Sequence, residues 1–182
     1  ITIGENVGEP CMMRRKGKLT PIPNGTLIRI VEFDDVQKKG VAISWGDVSS
    51  AWRSTQIPNI TVYNCLPQKV ISSMRTSNYL GFLLRSKFLK RIAINKIKQR
   101  PAGPTEQERT TAKSFIWGEV KNSLGVTKRA LLELPEGYTL TALTAVKIVT
   151  MLLDMEPPFG AKTPAQVFGS NFILDFEGVK RK

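Results

Sequence analysis

Three short clusters in this 182-residue sequence carry side chains that could do chemistry together. Ser44-Trp45-Gly46-Asp47-Val48 leads, within one or two helical turns, to Arg53-Ser54-Thr55. An indole packs a planar or apolar group, while an arginine or carboxylate beside it fixes a polar one, so Trp45, Asp47 and Arg53 read as a pocket rim. Equally, Asp47 can cap a short helix and Arg53 can answer a nearby carboxylate. A second Trp-Gly-acid triplet recurs at Trp117-Gly118-Glu119. Glycine after an indole either admits a ligand or backbone closely or marks a bulge, with Trp117 in the core. The third cluster, Glu136-Gly137-Tyr138-Thr139 with Thr141 and Thr144, presents hydroxyls at a helix start. Orphan amides there bind an anion or are capped by the threonines, and Tyr138 is a candidate proton donor.

The missing residue types are as telling. There is no histidine, which removes Ser–His and Cys–His nucleophile pairs, histidine zinc sites and imidazole acid–base chemistry. Cys11 and Cys65 are widely spaced and read as packing residues in a reducing, cytoplasmic setting. The fourteen glycines include no pair at i, i+2 and there is no GK[ST]. A dinucleotide fingerprint and a phosphate loop are therefore both missing, and the chain is expected to bind no nucleotide cofactor itself.

Charge is concentrated. The chain carries a net +12, yet no acidic residue falls between Val48 and Thr105. That window holds Arg53, Lys69, Arg75, Arg85, Lys87, Lys90, Arg91, Lys96, Lys98 and Arg100. Lys87, Lys90, Arg91 and Lys98 fall opposite an imperfect apolar stripe of Leu84, Phe88, Leu89, Ile92 and Ile97, a pattern for an anionic partner. An anionic membrane surface and an acidic carrier protein both fit, as does a solvated helix face. Nucleic acid fits less well, because Phe82 and Phe88 alone among Leu80–Arg100 are aromatic.

These residues need a scaffold, and the pattern supplies an α+β one: a mixed, mainly antiparallel sheet with helices packed on one face. Strands are expected over Cys11–Lys16, Thr26–Asp34, Gly40–Trp45, Ile60–Tyr63 and Phe172–Phe176, with Asp35–Gly40 a polar connection. Lys113–Lys121 and Lys128–Leu134 form a hairpin around Asn122–Gly125. Helices are expected from Gln68 to Gln99 in two pieces, after a Thr105–Glu108 capping box, over Thr139–Met155 and at Pro164–Phe168. At this length one domain, residues 1–182, is expected. Thr139–Met155 is apolar around most of its circumference, so it wants cover on two sides. Leu140, Leu143 and Met151 are expected on the side left over by the sheet, which makes a homodimer through this helix one outcome.

Five ordered blocks carry a resemblance: Met13–Pro23 around RRKGKLTPIP, Ser44–Ile60 (SWGDVSSAWRSTQIPNI), Phe115–Val120 (FIWGEV), Pro135–Val146 (PEGYTLTALTAV) and Lys162–Leu174 (KTPAQVFGSNFIL). Together they resemble the short saccharopine dehydrogenase-like oxidoreductases, including proteins described as trans-acting enoyl reductases, over about Met12 to Val179. The resemblance implies an NAD- or NADP-binding Rossmann domain ahead of this chain, with the cofactor fingerprint upstream of Ile1. It also implies that residues 139–182 fold against that domain. The implied reaction is hydride transfer to a C=C or C=N bond, and a lipid-like or acyl substrate suits the basic, apolar stretch.

Overall fold

The computed structural model describes residues 9–84, 91, 103–156 and 158–182. Its strands form three antiparallel sheets, the α+β architecture expected from the sequence. The chain divides into two compact units, residues 1–31 with 37–102, and residues 32–36 with 103–182.

The first unit opens on a tight hairpin of β1 (Cys11–Arg15) and β2 (Lys18–Ile22). Lys16 and Gly17 both take positive φ, 48° and 77°, the pairing that a two-residue type I′ turn requires. Residues 58–60 run beside β1 as a partial third strand. Arg14 and Ile60 exchange backbone hydrogen bonds of 2.9 and 3.0 Å, and the Gly17 N–H donates to Pro58 O. The strand expected at Ile60–Tyr63 is therefore a single bridge at Ile60 followed by β5 (Tyr63–Cys65).

The second sheet of this unit has the order β3-β4-β5, from β3 (Ile28–Phe33) and β4 (Val36–Ala42). β4 starts earlier than its sequence suggests. Val36–Lys39 lack the apolar alternation that marks a strand, yet they form an exposed strand end, and the buried part of β4 begins at Gly40. Helix α1 spans Asp47–Thr55, and α2 spans Gln68–Leu84. The Pro23–Gly25 turn is pinned to α2 from both directions. The Asn24 N–H donates to Asn78 Oδ1 (2.8 Å), Asn78 Nδ2 to Asn24 O (2.9 Å) and Arg75 Nε to Gly25 O (2.7 Å). Gly25 has no substitute here: its φ is +70°, and a Cβ would lie 2.9 Å from Ile71 O. Val41, Ile71, Val31, Met13, Cys11 and Val48 form the buried core.

The second unit is built on β6 (Lys113–Lys121) and β7 (Thr127–Pro135), with β8 (Lys180–Arg181) added at the far edge of β7. The register runs unbroken from Lys113↔Pro135 to Lys121↔Thr127, so the bulge considered at Gly118 does not form. Helix α3 (Glu106–Thr111) carries the expected capping box: Glu108 N–H bonds Thr105 Oγ1, and the Thr105 N–H donates to the Glu108 carboxylate. Helix α4 (Gly137–Leu153) and helix α5 (Pro164–Phe168) follow. The last strand expected, Phe172–Phe176, is instead a 3₁₀ turn over Phe172–Asp175. Phe168, Phe172 and Phe176 recur every fourth residue and pack ring on ring, at centroid distances of 5.0 and 5.3 Å. That contact rewards helical rather than strand spacing.

Candidate functional site

In the first unit the chemistry-bearing cluster is held by a residue the sequence reading passed over. Arg14 is only 7% exposed. Its Nε donates to Val48 O at 3.0 Å, its Nη1 to Gly17 O at 2.6 Å, and its guanidinium lies 5.1 Å from the centre of the Trp52 ring. One side chain thus ties the β1–β2 turn to both ends of the first two turns of α1. A flat cation is suited to this, since it can stack on the indole and still donate in its own plane. The Met12 N–H donates to Ser44 Oγ (2.6 Å), which fixes the approach to Trp45.

Trp45, Asp47 and Arg53 are all exposed on this support. Asp47 is not the helix cap. Gly46 is the N-cap residue and makes no side-chain bond, while Asp47 sits in the first turn, where its charge favours the positive end of the helix. Arg53 stands in the last turn.

In the second unit Trp117 is half-buried and Glu119 is held by Arg129 directly across the ladder, Arg129 Nε to Glu119 Oε2 at 2.8 Å. Lys113 bonds Glu133 on the same hairpin, and Lys182 reaches both Asp34 (2.5 Å) and Glu133 (3.6 Å). The Lys113 hydrogen bond holds the Glu133 carboxyl below its usual range, opposed by desolvation and supported by the charges of Lys113, Lys182 and Lys180.

The start of α4 is closed by its own sequence. Glu136 turns its carboxylate onto the helix: Tyr138 N–H donates at 2.9 Å and Thr139 N–H at 3.0 Å. Those bonds, Tyr138 first, lower the Glu136 pKa. The threonines taken as possible caps do something else; Thr141 Oγ1 donates back to Gly137 O at 2.7 Å. With its amides taken by Glu136, this helix start does not fit a pyrophosphate. Tyr138 itself is 65% exposed.

Beyond its cap, α4 is nearly all apolar, yet Leu140 alone on it is buried, at 8%. Thr144, Ile148, Met151 and Leu152 are half-buried with it. The assignment of faces made from the sequence holds only in part: Leu140 and Met151, expected on the side left over by the sheet, are covered together with Ile148 and Leu152, whereas Leu143 is exposed as expected. The broad side carrying Ala142, Leu143, Ala145, Val146, Val149 and Leu153 is exposed, with Val146 at 68% and Leu153 at 81%. Ala142, Leu143, Val146, Lys147 and Thr150 line a groove of about 430 Å³ with Phe176. Tyr138 shares this side, since 138, 142, 145 and 149 follow helical spacing.

The six pocket candidates therefore fall in two groups. Trp45, Asp47 and Arg53 belong to the first unit, and Trp117, Glu119 and Tyr138 to the second. Of the basic residues singled out, Arg91 is exposed, while Lys87, Lys90 and Lys98 lie outside the described residues. Among the described residues no group of acidic and cysteine side chains is arranged to hold a metal ion. The sequence matches no family model and no curated protein.

Proposed function

We propose that this chain is the substrate-side and interface domain of an NAD(P)-dependent oxidoreductase that transfers a hydride to a C=C or C=N bond. The observation that carries the reading is the exposed apolar side of α4. A soluble helix normally shows water a polar face, and this one shows alanine, valine and leucine, which calls for a protein partner. The resemblance of Pro135–Val146 and Lys162–Leu174 to the saccharopine dehydrogenase-like enzymes supplies the identity of that partner, a Rossmann domain holding NAD or NADP.

The described residues do not themselves fit the nicotinamide nucleotide. The glycine fingerprint is missing from the sequence, and the amides of α4 are satisfied by Glu136. In this reading the candidates for substrate contact are Trp45, Asp47 and Arg53 in the first unit and, separately, Trp117 and Glu119 in the second. Tyr138, on the side of α4 that the partner covers, stands at the border between substrate and nucleotide domains, where its hydroxyl donates a proton.

The full reading frame that encodes this chain tests the reading. It should contain a GxGxxG after a strand, and its product should bind NADPH or NADH in calorimetric titration while residues 1–182 alone do not. Tyr138→Phe in that product should lower kcat by about 10²-fold with cofactor affinity unchanged. A frame without the fingerprint, or a product that binds neither nucleotide, overturns the assignment.

A further inference from the structure

Strand β6 is the outer strand of its sheet, paired with β7 on one side and, among the described residues, with no strand on the other. Exposed sheet edges are ordinarily blunted by proline, by a bulge or by short length. β6 has none of these: it runs nine residues, Lys113 to Lys121, without proline and in unbroken register. Its middle, Ser114 to Gly118, carries no charge, and Phe115 and Ile116 are 44% and 55% exposed. The residues whose backbone points outward follow from the far side of β7. There Leu131 exchanges both its N–H and its C=O with Lys182, away from β6. Trp117 stands opposite Leu131, so the two form a non-hydrogen-bonded pair and the N–H and C=O of Trp117 also point away from β7. Alternation along the strand gives Lys113, Phe115 and Glu119 the same direction.

We infer that β6 pairs with the β6 of a second copy of this chain, antiparallel about a two-fold axis at Ile116. The sequence selects both the partner and the register. An axis at Trp117 sets Lys113 against Lys121 of the second copy, and an axis at Gly118 sets Phe115 against Lys121 and Trp117 against Glu119. With the axis at Ile116, Lys113 faces Glu119 at both ends, Phe115 faces Trp117 twice, and Ser114 faces Gly118. All four hydrogen-bonded pairs of this register fall on the residues whose backbone points outward. Charge then alternates across the joined strands. Glu133 holds Lys113, Lys113 meets Glu119 of the second copy, and that copy's Arg129 holds its Glu119 in turn. A foreign strand would have to reproduce this order of charge and aromatic side chains, and a second copy already carries it. One strand pair is a small interface, so the contact is weak, with a Kd on the order of 0.1 mM. It does not rest on the partner proposed for α4.

Disulfide trapping reads the register directly. Residues 1–182 carry Val146→Asp and Val149→Asp, so that α4 brings nothing to the association. At about 0.2 mM protein under mild oxidation, Ile116→Cys should give a disulfide-linked dimer. In this register the two copies of residue 116 face each other with Cα atoms about 4.5 Å apart, within reach of a disulfide. Val120→Cys, at a position 54% exposed and so just as open to random collision, should give at most a tenth as much. Its two copies lie eight residues apart along the paired strands, roughly 26 Å. Cys11 is buried and Cys65 half-buried, and the chain without a new cysteine is the blank. Phe115→Pro deletes an outward N–H and spares the ladder to β7, so it should cut the Ile116→Cys yield at least tenfold with circular dichroism unchanged. Lys113→Glu sets like charges at both ends and should cut it about threefold. Equal yields from Ile116→Cys and Val120→Cys, or a yield that Phe115→Pro leaves intact, would overturn the inference. No dimer from Ile116→Cys at this concentration would do the same and leave the edge to a different chain. The contrast between positions 116 and 120 decides the matter even where Phe115→Pro fails to fold.

Discussion

Helices α1 and α4 make opposite use of their sequences. α1 is short and largely polar, buries Val48 alone, and has no side-chain cap, yet its position is fixed by Arg14 from the neighbouring hairpin. α4 is nearly twice as long, apolar on almost every side and capped by its own Glu136, yet Leu140 is its one buried residue. Apolarity therefore does not predict burial within this chain. Helix α1 is tied within its unit by a few directional contacts, and α4 leaves its broad apolar side exposed.

The sharpest break of that comparison lies within α4 itself. Leu140→Ala should cost about 3 kcal/mol, because it empties a filled site against the sheet. Val149→Ala, one exposed residue on the opposite side, should change stability by less than about 0.5 kcal/mol. Chemical denaturation of both variants measures the contrast. Equal losses would mean the exposed side is in fact covered within the chain. Light scattering extends the same test: the parent chain should self-associate through this side, and Val146→Asp with Val149→Asp should return it to monomer.

For α1 the corresponding residue is Arg14. Arg14→Ala removes two hydrogen bonds from a buried cation and its contact with Trp52, and should cost about 2–3 kcal/mol. Arg14→Lys keeps the charge but not the fork or the flat face, so it should recover less than half of that loss. Full recovery by lysine in thermal unfolding would show that charge, not geometry, holds α1.

Acid should act on the second unit first. Glu136 and Glu133 are both held below their usual range, by Tyr138 N–H and by Lys113 in turn. The unfolded chain then binds more protons than the folded one, so this stabilisation is fully present above about pH 4.3 and is lost as pH falls through the lowered values. Melting followed at α4 should fall as pH is lowered from about 5 to about 3. Glu136→Gln should flatten that slope, and a slope identical to the parent's would take Glu136 out of the account.

Much of the scaffold was legible in the sequence because local signals and final structure agree: the Thr105–Glu108 box and the long hairpin stand where pattern placed them, and α4 lies within two residues of its expected bounds. The misreadings have physical causes. Val36–Lys39 is a strand without apolar alternation because both its faces meet water. Phe172–Phe176 has strand-like composition, but its ring contacts run at helical spacing. In the candidate site, a carboxylate one residue before a glycine was overlooked as the cap of α4 in favour of nearby threonines. Arg14 was invisible for a different reason: its role depends on three segments far apart in sequence, and no local pattern announces it.

The smallest expected effect bears on Gly118, between Trp117 and Glu119. Nothing lies within 4 Å of where a Cβ would stand, its φ is not in the left-handed region, and the ladder through it is regular. The fold therefore gives no reason for glycine. Gly118→Ala should hold stability constant or raise it by about 0.5 kcal/mol, since alanine restricts the unfolded chain and strains nothing in the strand. If the open space beside Trp117 exists for substrate, the same variant in the full reading-frame product should raise KM without changing the melting temperature. A variant that melts lower would instead mean the strand needs glycine for its own packing, and the Trp-Gly-Glu triplet would lose its claim to a binding role. An unchanged KM with unchanged melting would remove Trp117 and Glu119 from the candidates for substrate contact.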